Sequence, residues 1–218
     1  ERFGLNDFRG SDNSIGTSFS DNMYCDVRTQ LSSGVRKPFR FLFEQMFPFR
    51  QIFDAQVKLT REYARDMIKL RGHVYSTSPM VAGLMSKYIV PYSVAGGCTD
   101  CFAMNGAHIS HPYINLLNTH DSIATLIDFS RATSFFEIGG GFGVNLHLLI
   151  ENYKNLKKFV YLDIPPNLYV GTQYLKSIYG THVKDYLSTR MLEEIRFSSN
   201  DELEILCIAP WQSEKLNV

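Results

Sequence analysis

Glu137, Gly139, Gly141 and Gly143 alternate with other residues in the run Ser134-Phe135-Phe136-Glu137-Ile138-Gly139-Gly140-Gly141-Phe142-Gly143, and Asp163 follows twenty residues after the last of them. Glycine has no Cβ, so a turn built from it can bend sharply and let a ligand approach the backbone closely. A helix opening directly after the turn adds unpaired N–H groups and the positive end of its dipole, which favour a phosphate or a nucleoside. In a βαβ unit an acid ending the second strand lies beside the turn, where its carboxylate can accept hydrogen bonds from both hydroxyls of a ribose.

These roles require particular elements. The apolar residues before Glu137 predict a buried strand over Phe135 to Ile138, and Val144, Leu146, Leu148, Leu149 and Ile150 predict the helix that follows the turn. Phe159-Val160-Tyr161-Leu162-Asp163 reads as the second strand, Pro165-Pro166 as the start of a helix stopped by Gly180, and Leu203 to Ala209 as a third strand closed by Pro210-Trp211. Between them, His182 to Tyr186 reads as a short extended piece and Met191 to Ile195 as a helical turn. A dinucleotide turn of the form G-x-G-x-x-G would need glycine at position 144, which is Val144, so an NAD(P)-dependent oxidoreductase is disfavoured.

Upstream the chain divides into an irregular arm over residues 1–36, rich in Gly, Ser, Asn and Asp, and a helical region over 37–130. Phe39, Phe41, Phe43, Phe47 and Phe49 are expected to fill the interface between this helical layer and the main domain. Ile52, Ala55, Leu59, Tyr63, Met67 and Leu70 form the stripe of a packing helix, and Ser78-Pro79 opens another that Pro91 ends. The spacing of Cys98, Cys101, His108 and His111, C-x2-C-x6-H-x2-H, is not that of a usual zinc finger, and no metal is expected. His111, Tyr113 and His120 are polar groups one element ahead of the turn, either side chains that face a substrate or surface and core-capping residues.

Composition narrows the classes. Lys+Arg 22 balances Asp+Glu 22, which gives no reason to expect a nucleic-acid partner. Four cysteines do not make a disulfide framework, and neither a signal-peptide core nor an apolar span of membrane length is visible, so a cytoplasmic protein without membrane insertion is expected.

The pattern E-x-G-x-G-x-G resembles motif I of the class I S-adenosylmethionine-dependent methyltransferases. Asn105-Gly106 with Ile109-Ser110, the motif strand, the Leu162-Asp163-Ile164-Pro165 junction, Gln173-Tyr174-Leu175-Lys176 and the strand ending Ile208-Ala209-Pro210 together resemble the bacterial sugar O-methyltransferase family, from roughly Asn105 to Val218. The resemblance implies an α/β, Rossmann-like sheet over 131–218 and S-adenosylmethionine held along Glu137, Gly139, Gly140, Gly141, Phe142 and Gly143. It places Asp163 and Ile164 at the ribose, Ile208, Ala209 and Trp211 near the adenine, and a sugar or glycan hydroxyl as the methyl acceptor. It assigns no catalytic base; His111 and Tyr113 are the candidates.

Such sheets have the first strand central, the second and third to one side and a fourth on its other edge. Past the third strand and its closing turn only Leu216-Asn217-Val218 remain for a further strand, so the sheet is expected to be C-terminally incomplete, with an edge covered by the N-terminal arm, a swapped element or a second copy in a homodimer. A non-catalytic scaffold on the same fold is the alternative, and five retained motif residues weigh against it.

Overall fold

A computed structural model describes residues 49–91, 93, 95, 102–109 and 111–218. The chain forms two compact units, Glu1–Ala82 with Gly96–Ile114 and Gly83–Ala95 with Asn115–Val218. The rings expected at Phe39, Phe41, Phe43 and Phe47, like Cys98 and Cys101, lie outside the described residues.

The first unit holds helix α1 (Phe49–Ser76), the start of α2 (Pro79–Lys87), a hairpin of β1 (Phe102–Met104) and β2 (Ala107–Ile109), and the start of α3 (His111–Ala124). Asn105 and Gly106 both take positive φ, 50° and 79°, as a two-residue turn joining right-twisted strands requires. Along α1, Ile52, Leu59, Tyr63 and Leu70 are exposed. The packing expected of that stripe is therefore not made among the described residues.

The second unit is a parallel sheet. β3 (Ser134–Ile138), β4 (Lys158–Leu162), β5 (Val183–Lys184) and β6 (Glu204–Ile208) lie in the order β3-β4-β6-β5, with Ser134 paired to Lys158 and Lys158 to Glu204. Helix α4 (Val144–Asn152) returns the chain from β3 to β4, and α5 (Pro165–Tyr179) leads from β4 to Gly180, whose φ of 56° ends the helix. The helical turn comes earlier than Met191: α6 (Tyr186–Thr189) starts where the Asp185 carboxylate accepts the Ser188 N–H at 2.9 Å. Ile195 instead bridges in parallel to Leu216.

One sheet face is closed by Ile195, Phe197 and Leu216 packed on Val160, Leu162, Leu206 and Ile208. That cover reaches β4 and β6 but not β3, where Phe136 is 47% and Ile138 74% exposed. A strand expected to be buried on both faces is thus the edge strand among the described residues, and its second apolar face is open.

Candidate functional site

At the carboxyl end of β3 the backbone leaves the sheet through three positive φ values, 74° at Gly139, 63° at Gly141 and 86° at Gly143. A side chain would be strained at each. The Gly139 N–H donates to the Leu162 carbonyl at 2.8 Å, holding the start of the turn on β4, and the Gly143 N–H donates to Gly140 at 3.0 Å. α4 opens at Val144 with Gly143 as its cap and no side-chain acceptor there, so its first amides face the turn without a capping side chain.

Two carboxylates flank this turn. Asp163 sits just past β4, as its spacing predicts, and is only 4% exposed. Its Oδ2 accepts the Gly141 N–H at 3.0 Å and its Oδ1 accepts the Ile164 N–H at 2.7 Å, so the acid braces the turn, and each oxygen retains a second acceptor direction. Glu137 lies beneath the turn against Gly140. Its Oε1 accepts the Asn145 Nδ2–H at 2.8 Å, whereas its buried Oε2 has no hydrogen-bond partner. Burial raises the Glu137 pKa; the Asn145 hydrogen bond opposes this and the nearby Asp163 charge adds to it.

The turn has a further support that the sequence analysis did not find. Tyr161, wholly buried on β4, donates its hydroxyl to the Gly141 carbonyl and stands 3.2 Å from that of Asn167. The ring reaches that carbonyl because α5 passes close by at Gly171, where a Cβ would stand 2.2 Å from the hydroxyl oxygen. Burial also pushes the Tyr161 pKa upward, which keeps the phenol a donor. A glycine in the middle of α5 was the available signal.

The remaining predicted contacts separate. Phe142 turns inward and meets the Tyr174 ring edge-on at 5.1 Å, so it anchors the turn to α5. Ile164 is exposed beside Asp163. Ile208 is wholly buried in the core cluster, so it supports the site from below and does not line its surface. Ala209 lies in the wall of an apolar cavity of about 350 Å³ with Pro165, Leu168, Tyr169, Tyr186 and Trp211. Trp211, 58% exposed and edge-on to Tyr186, stands at the mouth of that cavity. The cavity opens at the carboxyl ends of β4 and β6, where ligands of open α/β sheets bind.

The turn, Asp163 and the cavity all belong to the second unit, whereas His111 and Tyr113 belong to the first. Tyr113 is buried, and the side chain of His111 is outside the described residues. His120 is a core residue: it is buried at the opposite end of the strands, with Nε2 2.9 Å from the Tyr153 hydroxyl and its ring against Tyr88 and Phe129. Burial lowers its pKa and leaves a neutral core histidine. Among the described residues no three side chains are grouped to hold a metal ion, and no helix is long and apolar enough to cross a membrane.

The arrangement can accept hydrogen bonds from a hydroxylated or ammonium-bearing ligand at the buried Asp163 and the half-buried Glu137, offer helix amides to it, and take a flat apolar group into the neighbouring cavity. No protein-family model, no curated protein and no solved structure matches the chain.

Proposed function

We propose that the chain is an S-adenosylmethionine-dependent methyltransferase acting on a sugar hydroxyl. The observation that carries this reading is the unpaired Oε2 of Glu137, a buried acceptor aimed into a glycine turn that a second acid, Asp163, closes from the adjacent parallel strand. A buried carboxylate oxygen without a partner is unfavourable unless a donor reaches it, and an ammonium group is the donor that fits best. The amino-acid end of S-adenosylmethionine has one, its ribose has two hydroxyls for the free acceptor directions of Asp163, and its adenine suits the cavity walled by Ala209 and Trp211.

When bound, S-adenosylmethionine supplies a methyl group on a sulfonium, open to in-line attack by a hydroxyl oxygen. The chain's part is to position and to exclude water: the turn orients the cofactor, Tyr161 keeps the Gly141 carbonyl turned away from it, and the apolar walls keep the pocket dry. A sugar hydroxyl is a weak acid, so a general base must be supplied as well. The sugar acceptor rests on the resemblance of the motif stretches alone.

A second reading, a methyltransferase-like scaffold without turnover, is favoured by one observation: Asp163 is nearly inaccessible and both its oxygens are engaged by backbone amides. A transfer assay separates the two. Incubation with methyl-labelled S-adenosylmethionine and a panel of hexoses, deoxyhexoses and amino sugars is expected to label at least one sugar. A panel left unlabelled by protein that binds the cofactor would favour the scaffold.

A further inference from the structure

The exposed face of α1 is not a random scatter. Ile52, Leu59, Tyr63, Leu70 and Val74 follow one another at steps of seven, four, seven and four residues, and all five are between 55% and 63% exposed. At 100° per residue they fall within an arc of about 60° along a helix of 28 residues, roughly 42 Å long. Ile52, Tyr63 and Val74 are spaced by eleven, as are Leu59 and Leu70. An eleven-residue period, close to the helix's own 3.6 residues per turn, keeps an apolar seam straight over several turns, and such a seam matches another helix.

We propose that this seam joins two copies of the chain, α1 packing antiparallel on α1 across a two-fold axis. Tyr63 lies midway between Ile52 and Val74, so an axis through Tyr63 sets Ile52 of one copy against Val74 of the other and the two Tyr63 rings together, with Leu59 opposite position 67 and Leu70 opposite position 56. This self-complementarity is what a two-fold interface requires. The five side chains expose on the order of 500 Å² per copy, the size of the largest and often functional patch of a typical monomer, and two copies together reach the ~1,000 Å² at the lower bound of a specific interface. Among the described residues beside the seam, Lys69 pairs with Asp66 at 3.5 Å and Lys58 with Glu62 at 4.0 Å, so these four charges are already partnered within the helix. The balance of 22 cationic and 22 anionic residues leaves no net repulsion between copies.

Sedimentation equilibrium of the full chain tests this, with Leu59→Glu and Leu70→Glu as variants and circular dichroism to confirm that each stays folded. A dimer is expected for the unaltered chain, with its dissociation constant raised at least 100-fold in either variant. Tyr63→Cys under oxidation is expected to give a disulfide between the two Cys introduced at position 63, found by peptide mass spectrometry. A monomer at 100 µM, with the seam covered by the chain's own residues 1–48 or left bare, would overturn the proposal. So would a dimer that both glutamate variants leave intact, or a heterologous partner required for the seam to close. None of these results bears on cofactor binding by the second unit.

Discussion

The Tyr161 hydroxyl stands 2.2 Å from where a Cβ on Gly171 would lie, so the brace from β4 to the Gly141 carbonyl exists only because α5 carries no side chain at that point. Gly171→Ala should force the ring or the helix to move and lower stability by about 1–3 kcal/mol, the range for overpacking a tight core. Tyr161→Phe keeps the packing and loses the hydrogen bond, which should lower stability by about 1 kcal/mol. Chemical denaturation of both variants measures this, and an alanine at 171 without effect would show that the contact is loose.

Glu137→Gln is expected to stabilise the cofactor-free protein at pH 7. The folded pKa of Glu137 is raised by burial, so the unfolded chain ionises first; stability contributed by this group is greatest below the unfolded carboxylate pKa and falls as pH rises toward the folded value. The variant's advantage in melting temperature should therefore be present at pH 7 and vanish near pH 4. A loss of stability at pH 7 would mean that Oε2 is satisfied in the cofactor-free protein.

The opposite sign holds at Glu204, at the amino end of β6. Burial alone would raise its pKa, but hydrogen bonds from Lys184, Ser198 and Lys158 outweigh that and hold it at about 2. Its contribution is present above the unfolded pKa near 4.5 and is lost as pH falls from there toward 2. Glu204→Gln should flatten the acid limb of a stability-against-pH curve between those values; an unchanged limb would assign acid unfolding to other groups.

What was legible in the sequence was local. The strand, glycine turn, helix and acid of Phe135 to Asp163 lie on one continuous stretch, so spacing alone places Asp163 beside Gly141. Tyr161 and Gly171 were not legible as a pair, because their meeting depends on how closely α5 crosses β4 and no periodicity reports that distance. The α1 stripe was legible as a helix face, yet an apolar period states only that a face needs a partner and not that the partner is in the same chain. For β3 the same limit applied. Apolar residues on both faces implied burial on both, while the cover supplied by Ile195, Phe197 and Leu216 stops short of Phe136 and Ile138. Asn105-Gly106 carries the two-residue hairpin signal that the β1–β2 pairing realises.

Isothermal titration of the protein with S-adenosylhomocysteine, the demethylated product that does not turn over, tests the cofactor site most directly. One site per chain is predicted, with binding weakened by about 1.5–3 kcal/mol in Asp163→Ala and in Glu137→Gln, the range for a hydrogen bond to a charged group. Asp163→Ala should also lower the melting temperature without ligand, because the Gly141 and Ile164 amides lose their acceptor; Glu137→Gln should weaken binding while the fold stays at least as stable. No heat of binding from the unaltered protein, or equal affinity in Glu137→Gln, would contradict the account.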